Sequence, residues 1–224
     1  MNGVCFYIES VFLVNRALSR LGRSTRLKNL QSLIAMPLRH ADRGRQFCLC
    51  LSCRDLMDVA FLDRDGTIIV DYPDIQWTRV HEPTFLEGAT SALQNIRAKG
   101  FEIIIVTNQY LMNEGFITHK QYKTLARKFL SQLATAGVDI LDVFYCPHAR
   151  PEGCACMKPR TGMIEAACQK YPTINLGNSF LVGDSETDIQ LANTMGIRAF
   201  GIGLDTEGLQ CTSVTSLQEV INHL

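Results

Sequence analysis

Short apolar runs alternate with helix-like segments from Met57 to the end of the chain, and this alternation is the strongest constraint on the fold. Strands separated by helices of ordinary length form parallel sheets through right-handed crossovers, which place helices on both faces of the sheet. The pattern therefore predicts an α/β domain with three layers and a Rossmann-like parallel sheet. The predicted strands are Val59–Leu62, Ile103–Val106, Ile140–Tyr145, Phe180–Val182 and Ala199–Ile202.

The segments between these runs carry helix signals. Glu87–Lys99 has apolar residues on one face and stops at Gly100, a residue well suited to end a helix. Thr118 and Gln121 form a capping box in front of apolar residues at helical spacing, and Thr187–Met195 repeats that spacing. Because no repeat or internal linker interrupts the alternation, we predict one domain over residues 57–224.

The first 56 residues differ from this domain in charge. They hold nine Lys and Arg residues against three Asp and Glu residues, and an equal acidic excess in residues 57–224 brings the net charge to zero. An arginine-rich, acid-poor leader resembles a mitochondrial transit peptide, whereas a secretory signal fits less well because Glu9 interrupts the apolar stretch. We favour a third interpretation, an over-extended start before Met57, because no sustained pattern ties the leader to the domain.

Composition excludes several classes of protein. A chain with 46% hydrophobic and 20% charged residues is neither disordered nor collagen-like, and no run approaches the ~18 apolar residues of a membrane helix. Balanced charge gives no general attraction to nucleic acid or anionic lipid. We therefore expect neither nucleic acid nor a membrane as a partner. We also expect the protein to be a cytoplasmic monomer.

Four polar groups follow predicted strands in order along the chain. In a parallel sheet, such groups meet at the carboxyl edge, where ligands bind. The paired aspartates would cost several kcal/mol if they were left ionised without a cation, although a single Asp-Gly turn is common. The groups are Asp63-Arg64-Asp65-Gly66-Thr67, Thr107-Asn108-Gln109, Lys158-Pro159 and Gly183-Asp184-Ser185-Glu186-Thr187-Asp188.

Together these groups resemble the four motifs of the haloacid dehalogenase superfamily, and the aspartate pair marks its phosphatase branch. The resemblance covers essentially all of residues 57–224. It implies that Asp63 is a nucleophile forming an aspartyl-phosphate, and that Asp65 acts as acid and then as base. It also implies that Thr107 holds the phosphoryl oxygens while Lys158 neutralises charge. The short segments between motifs leave no room for a cap domain.

The same resemblance implies a catalytic Mg²⁺ ion held by Asp63, the Asp65 carbonyl and Asp184, since this hard cation binds oxygen ligands. Asp188 would support Lys158 or waters on the metal. Phosphoryl transfer requires positioning and charge neutralisation, which these groups supply. The substrate-binding residues expected are Asn108, Gln109 and Arg160.

A second metal site is predicted on the loop before Lys158. Cys146, His148, Cys154 and Cys156 offer three thiolates and one imidazole, which suffice for a closed, tetrahedral Zn²⁺ site. No coordination position remains open, so we predict a structural zinc ion. Because Cys156 lies two residues before Lys158, the metal would fix the loop that presents the lysine.

The zinc-type loop leading into Lys158 resembles the heptose bisphosphate phosphatases and the histidinol-phosphatases. Met157 stands where these relatives usually carry arginine, and the loop after Gln109 brings the acidic Glu114. We predict a Mg²⁺-dependent phosphatase of a small phosphate monoester, a sugar phosphate of the D-glycero-D-manno-heptose 1,7-bisphosphate type. The alternatives are histidinol phosphate and a nucleic-acid 3′-end phosphate, the latter disfavoured because the domain is acidic and lacks a basic stripe.

Overall fold

A seven-stranded sheet in the order β1-β4-β3-β2-β5-β6-β7 forms the centre of the part of the chain that the structure describes. Strands β2 to β7 are parallel to their neighbours, and β1 pairs with β4 in the antiparallel direction. The parallel sheet predicted from the sequence is therefore confirmed. The strands are β1 (Phe6–Tyr7), β2 (Val59–Leu62), β3 (Glu102–Asn108), β4 (Asp142–Cys146), β5 (Phe180–Gly183), β6 (Arg198–Ile202) and β7 (Thr212–Val214).

The structure is a computed structural model that describes residues 56–205 and 208–224, together with the backbone of Phe6–Tyr7. We predicted that residues 1–56 are a leader outside the fold, and almost all of these residues lie outside the described part of the chain. Of that segment, the structure describes the exposed Leu56 and the pairing of Phe6 with Tyr145 and of Tyr7 with Phe144.

Every residue of β2 is buried, because other elements cover both faces of the sheet. Val59 and Phe61 share one apolar core with residues of the third and fourth helices. Ala60 and Leu62 point to the opposite face, as alternate residues of a strand do, and are equally inaccessible. The helices are α1 (Ala89–Ala98), α2 (His119–Thr135), α3 (Gly162–Lys170), α4 (Glu186–Thr194) and α5 (Leu217–Val220).

The predicted elements differ from the observed ones mainly at their ends. The capping box at Thr118 is present, with the backbone N–H of Gln121 donating to the threonine hydroxyl over 3.1 Å. The sequence patterns missed β7 and α5, which are too short to show a period. Within the described residues, the segment between β2 and α1 holds only a 3-10 flap, Asp74–Arg79, and no cap domain is present. None of the described helices has the length and apolarity needed to cross a membrane.

Candidate active site

The order in which strands are added to the sheet reverses at β2. The chain runs outward from β2 through β3 to β4 and then returns to place β5 on the other side of β2. Ligand sites in such sheets lie in the crevice at this reversal, beyond the carboxyl ends of the strands. Asp63 follows β2 and Asp184 follows β5, and the N–H of Asp63 donates to the carbonyl of Val182 over 2.9 Å. The sheet thus brings two of the predicted motifs together.

A buried lysine lies between two buried carboxylates at this crevice. Nζ of Lys158 is 2.8 Å from Oδ1 of Asp63 and 2.6 Å from Oδ1 of Asp188. Burial, together with repulsion from the nearby carboxylates, outweighs the lowering effect of Lys158 and raises the pKa of the Asp63 carboxyl to about 8. For Lys158, burial lowers the pKa, but the two carboxylates outweigh it and the net shift is upward. The lysine is therefore held as a cation.

Three carboxylates can hold a cation at the same place. Oxygen atoms of Asp63, Asp184 and Asp188 all lie within 4.8 Å of one another. Burial, followed by repulsion from Asp188, raises the pKa of Asp184 to about 6. Oδ1 of Asp63 is buried, and the contact described for it is the ion pair with Lys158. An oxygen-binding cation would reduce the repulsion among the carboxylates, so the residues fit a metal ion.

Two glycines make room for these carboxylates. Gly66 has a φ of +77°, and a Cβ atom on it would lie 1.9 Å from Oδ2 of Asp184. A Cβ on Gly183 would lie 2.2 Å from Cγ of Asp188. Each aspartate therefore occupies the space in which another residue would carry its side chain.

Asp65 is held by a neighbour that the sequence analysis did not assign. Both of its carboxylate oxygens accept hydrogen bonds from Arg64, over 2.8 Å from Nε and 2.9 Å from Nη2. Gln109 donates to Asp65 Oδ2 over 2.6 Å and to the hydroxyl of Thr107 over 3.0 Å. A charged residue between two aspartates at the end of a buried strand was the available signal for Arg64, and the pattern alone did not show where its side chain lies.

Asn108 fixes the loop that carries Lys158. The N–H of Lys158 donates to Oδ1 of Asn108 over 2.9 Å, and Nδ2 of Asn108 donates back to the Lys158 carbonyl over 3.3 Å. Arg160, predicted to bind substrate, is exposed and donates to the carbonyl of Cys154 over 2.7 Å.

The four predicted zinc ligands form one cluster. The Sγ atoms of Cys146, Cys154 and Cys156 lie 3.3 to 3.6 Å apart. Nδ1 of His148 is 3.4 Å from Sγ of Cys146 and 3.2 Å from Sγ of Cys156. The contact with Cys156, followed by burial, raises the pKa of the Cys146 thiol, so thiolates require a cation to coexist here. These residues are able to hold a metal ion.

A rim of charged residues joins three loops beside the site. Arg150 donates from Nε to Glu114 over 2.8 Å and from Nη2 to Asp74 over 3.0 Å, and its guanidinium carbon lies 4.3 Å from the centre of the Tyr110 ring. Tyr110 directly follows Gln109, and its hydroxyl donates to Asp74 over 3.0 Å. The positive charge of Arg150 is thus already paired with two carboxylates.

Comparison with known proteins identifies a family and several relatives of this chain. The family model described as polynucleotide kinase 3 phosphatase matches residues 58–198. D-glycero-alpha-D-manno-heptose-1,7-bisphosphate 7-phosphatase of Photorhabdus laumondii is 40% identical over 147 residues, covering 62% of this chain and 78% of the relative. The histidine biosynthesis bifunctional protein HisB of Campylobacter jejuni subsp. doylei is 32% identical over 146 residues, covering 65% of this chain but 41% of HisB.

Among solved structures, D,D-heptose 1.7-bisphosphate phosphatase from B. bronchiseptica, complexed with magnesium and phosphate, superposes with a TM-score of 0.66. The match has 24% sequence identity and covers 75% of this chain and 97% of that chain, so it supports the fold alone. The α/β fold with helices around a parallel sheet is thereby shared with a phosphatase of the haloacid dehalogenase superfamily.

The chain belongs to the polynucleotide kinase 3 phosphatase family, within the haloacid dehalogenase superfamily of phosphatases. It is an enzyme that hydrolyses phosphate esters. The superfamily resemblance seen in the sequence is therefore confirmed.

The close approach of Gly66 to Asp184 leads to a prediction about activity. Gly66→Ala should lower kcat on the order of a hundredfold, because the new methyl group displaces the Asp184 carboxylate. Gly137→Ala is the matched control, with a φ of +74° and no atom within 4 Å of the added methyl. Both variants should lose about 1–2 kcal/mol of folding free energy through backbone strain, measured by denaturant unfolding. Equal activity of the two variants would contradict the role of this contact.

Proposed function

We propose that this phosphatase removes one phosphate from a sugar phosphate of the D-glycero-D-manno-heptose 1,7-bisphosphate type. The choice of substrate rests on the relative from Photorhabdus laumondii, which is 40% identical and is named for that substrate. The buried arrangement of Asp63, Lys158 and Asp188 supports the chemistry, because it offers a carboxylate nucleophile next to a fixed positive charge. A cytoplasmic location and a monomeric state stay predictions.

The reaction has two steps on the same carboxylates. In the first, an oxygen of Asp63 bonds to phosphorus while the sugar oxygen leaves and takes a proton from Asp65. In the second, Asp65 takes a proton from water, the water oxygen bonds to phosphorus, and the Asp63–phosphate bond breaks to release inorganic phosphate. A carboxylate that gives and then regains one proton suits such a double displacement.

The other predicted residues bind and orient the phosphate. Lys158 lies against Asp63 and would neutralise charge on the phosphoryl oxygens as the bond forms. The Thr107 hydroxyl, held by Gln109, would donate to a phosphoryl oxygen. Asn108 keeps Lys158 in place through its two backbone contacts. Arg160 would bind the part of the substrate remote from the phosphate.

A Mg²⁺ ion is the proposed catalytic metal, held by carboxylates of Asp63 and Asp184 and by the backbone carbonyl of Asp65. When bound, it neutralises negative charge on the phosphate. The close packing of three aspartates around one lysine supports this assignment, because the carboxylates outnumber the cation. Asp188 would support Lys158, with which it forms an ion pair.

Zinc is the proposed structural metal of the cluster formed by Cys146, His148, Cys154 and Cys156. Its three sulfurs and one nitrogen match the ligand preference and coordination number of structural Zn²⁺. The cluster lies on the chain segment that ends at Lys158, and the N–H of Met157 donates to Sγ of Cys154 over 3.3 Å. Metal binding would therefore stabilise the position of the lysine.

The nucleophile assignment predicts the effect of one substitution. Asp63→Asn should lower phosphate release at least roughly 10³-fold, because the amide cannot form the acyl phosphate. Asp58→Asn, at the opposite end of β2, is the control and should retain activity, since an amide oxygen still accepts from Asn175. Turnover by Asp63→Asn near the wild-type rate, with unchanged thermal unfolding, would overturn the assignment.

The zinc proposal predicts one zinc ion per chain by elemental analysis. Cys154→Ala should lower both the zinc content and kcat, because the loop carrying Lys158 loses its anchor. Cys211→Ala removes a thiol outside the cluster and should change neither. Full Mg²⁺-dependent activity in folded, zinc-free protein would show that the cluster does not position the lysine.

Histidinol phosphate is the second candidate substrate, and the rim is the observation that favours it. A second phosphate needs a free cation, but Arg150 is paired with Glu114 and Asp74. The matching HisB relative supports the same alternative. Activity on heptose bisphosphate, heptose monophosphate, histidinol phosphate and a 3′-phosphorylated oligonucleotide would separate the candidates.

Releasing Arg150 should shift the preference toward bisphosphates. Glu114→Gln should raise kcat/KM for a sugar bisphosphate roughly two- to fivefold relative to the monophosphate of the same sugar, because the guanidinium loses a paired charge. Glu152 lies in the same 3-10 turn as Arg150 (Arg150–Glu152), and its described hydrogen bonds are with Ala149 and Asn113. Glu152→Gln removes one negative charge near Arg150 and is the matched control. An equal shift in both variants would exclude a specific role for the Arg150 pairing.

A further inference from the structure

Arg64 is a buried cation that lies in the sequence between Asp63 and Asp65, the two catalytic aspartates of the proposed reaction. It is 2% exposed, so its guanidinium is almost completely removed from water. Burying an arginine is costly unless its donors are paired. Its pairing is with the adjacent Asp65, and the two parallel hydrogen bonds use the fork geometry that is specific to arginine.

Two aromatic rings, in addition to Asp65, lie close to the Arg64 guanidinium. Its central carbon lies 5.5 Å from the centre of the Tyr122 ring and 5.8 Å from the centre of the Trp77 ring. Both rings are buried, and Trp77 is itself held by a hydrogen bond from Nε1 to Asp71 over 3.2 Å. Arginine stacks on aromatic rings with favourable energy. Arg64 therefore has a rigid position from which it can orient a carboxylate.

The donors around Asp65 leave little of its carboxylate unoccupied. A carboxylate has about four lone-pair positions. Oδ2 accepts from Nη2 of Arg64 and from Nε2 of Gln109, whereas Oδ1 accepts from Nε of Arg64 alone. The remaining position lies on Oδ1. A proton that passes to the leaving group, or returns from water, is thereby directed to one oxygen.

We propose that Arg64 is a positioning residue that holds Asp65 so that Oδ1 exchanges the proton in both steps of the reaction. The inference rests on the proposed acid–base role of Asp65. Lysine would keep the charge but not the fork, and so would not fix the carboxylate plane. A small misplacement of a proton donor weakens catalysis strongly, because the donor must lie within hydrogen-bond distance of the leaving oxygen.

The test compares two leaving groups of similar size. 4-Nitrophenyl phosphate releases a stable phenolate and needs little proton donation, whereas 4-nitrobenzyl phosphate releases an alkoxide and needs a donor. The quantity measured is kcat/KM for each ester, which reports the step that breaks the ester bond. The wild type, Asp65→Asn, Arg64→Lys and the double variant are compared, with Arg64→Met as a second replacement.

We expect Asp65→Asn to lower kcat/KM for the benzyl ester roughly a hundredfold more than for the phenyl ester. Arg64→Lys and Arg64→Met should show the same selective loss. The double variant should lose no more selectivity than Asp65→Asn alone, because both changes remove one function. A partly unfolded sample lowers both rates equally, so the ratio of the two rates stays informative even for a destabilised variant.

The outcomes separate the inference from the function on which it rests. Equal loss on both esters in the Arg64 variants, with a selective loss in Asp65→Asn, would overturn the positioning role and leave the acid–base role standing. Equal loss on both esters in Asp65→Asn would overturn the acid–base role itself. Additive selectivity in the double variant would show that Arg64 acts independently of Asp65 and would also overturn the inference.

Discussion

The ion pairs of Lys158 with Asp63 and Asp188 are the interaction on which the rest of the site depends. All three residues are buried, and an isolated charge at this depth would be strongly destabilising. The lysine comes from the loop after the Cys/His cluster, while the aspartates follow β2 and β5. Keeping these charges together therefore requires the sheet, the loop and the start of α4 to be placed correctly at once.

The requirement explains local features that are otherwise unrelated. Gly66 and Gly183 lack side chains where the carboxylates of Asp184 and Asp188 need space. Asn108 holds the backbone of Lys158 from both sides. Carboxylates outnumber the cations at the crevice, so burial and mutual repulsion raise the pKa of Asp63 and Asp184. This excess of negative charge favours the binding of a cation, in agreement with the proposed Mg²⁺ site.

Arg64 and Arg150 show two different uses of arginine near the same crevice. Arg64 is buried, stacked between aromatic rings and paired with a single neighbouring carboxylate, so its geometry is fixed. Arg150 is exposed and shares its donors between Glu114 and Asp74 on separate loops. The first is suited to orient a reacting group. The geometry of Arg150 is suited to select substrates by the charge of the part that contacts the rim.

The order of motifs and the alternation of strands and helices were readable from the sequence, because the periods of strands and helices and the types of polar residue are local properties. The sequence patterns predicted the parallel sheet, the phosphatase family and the grouping of the four Cys/His residues. They missed short elements such as β7 and α5. Only the tertiary structure showed that the Arg64 guanidinium binds Asp65 and that Arg150 is paired with Glu114 and Asp74. It also showed that the Asp184 carboxylate occupies the space next to Gly66. The contacts of Arg150 and Gly66 join separate loops or strand ends, so they depend on how the strands are ordered in the sheet. Arg64 and Asp65 are neighbours in sequence, but the direction of the Arg64 side chain depends on its packing beside Trp77 and Tyr122. A one-dimensional pattern lists the charged groups near an active site, but only packing determines which of them neutralise one another.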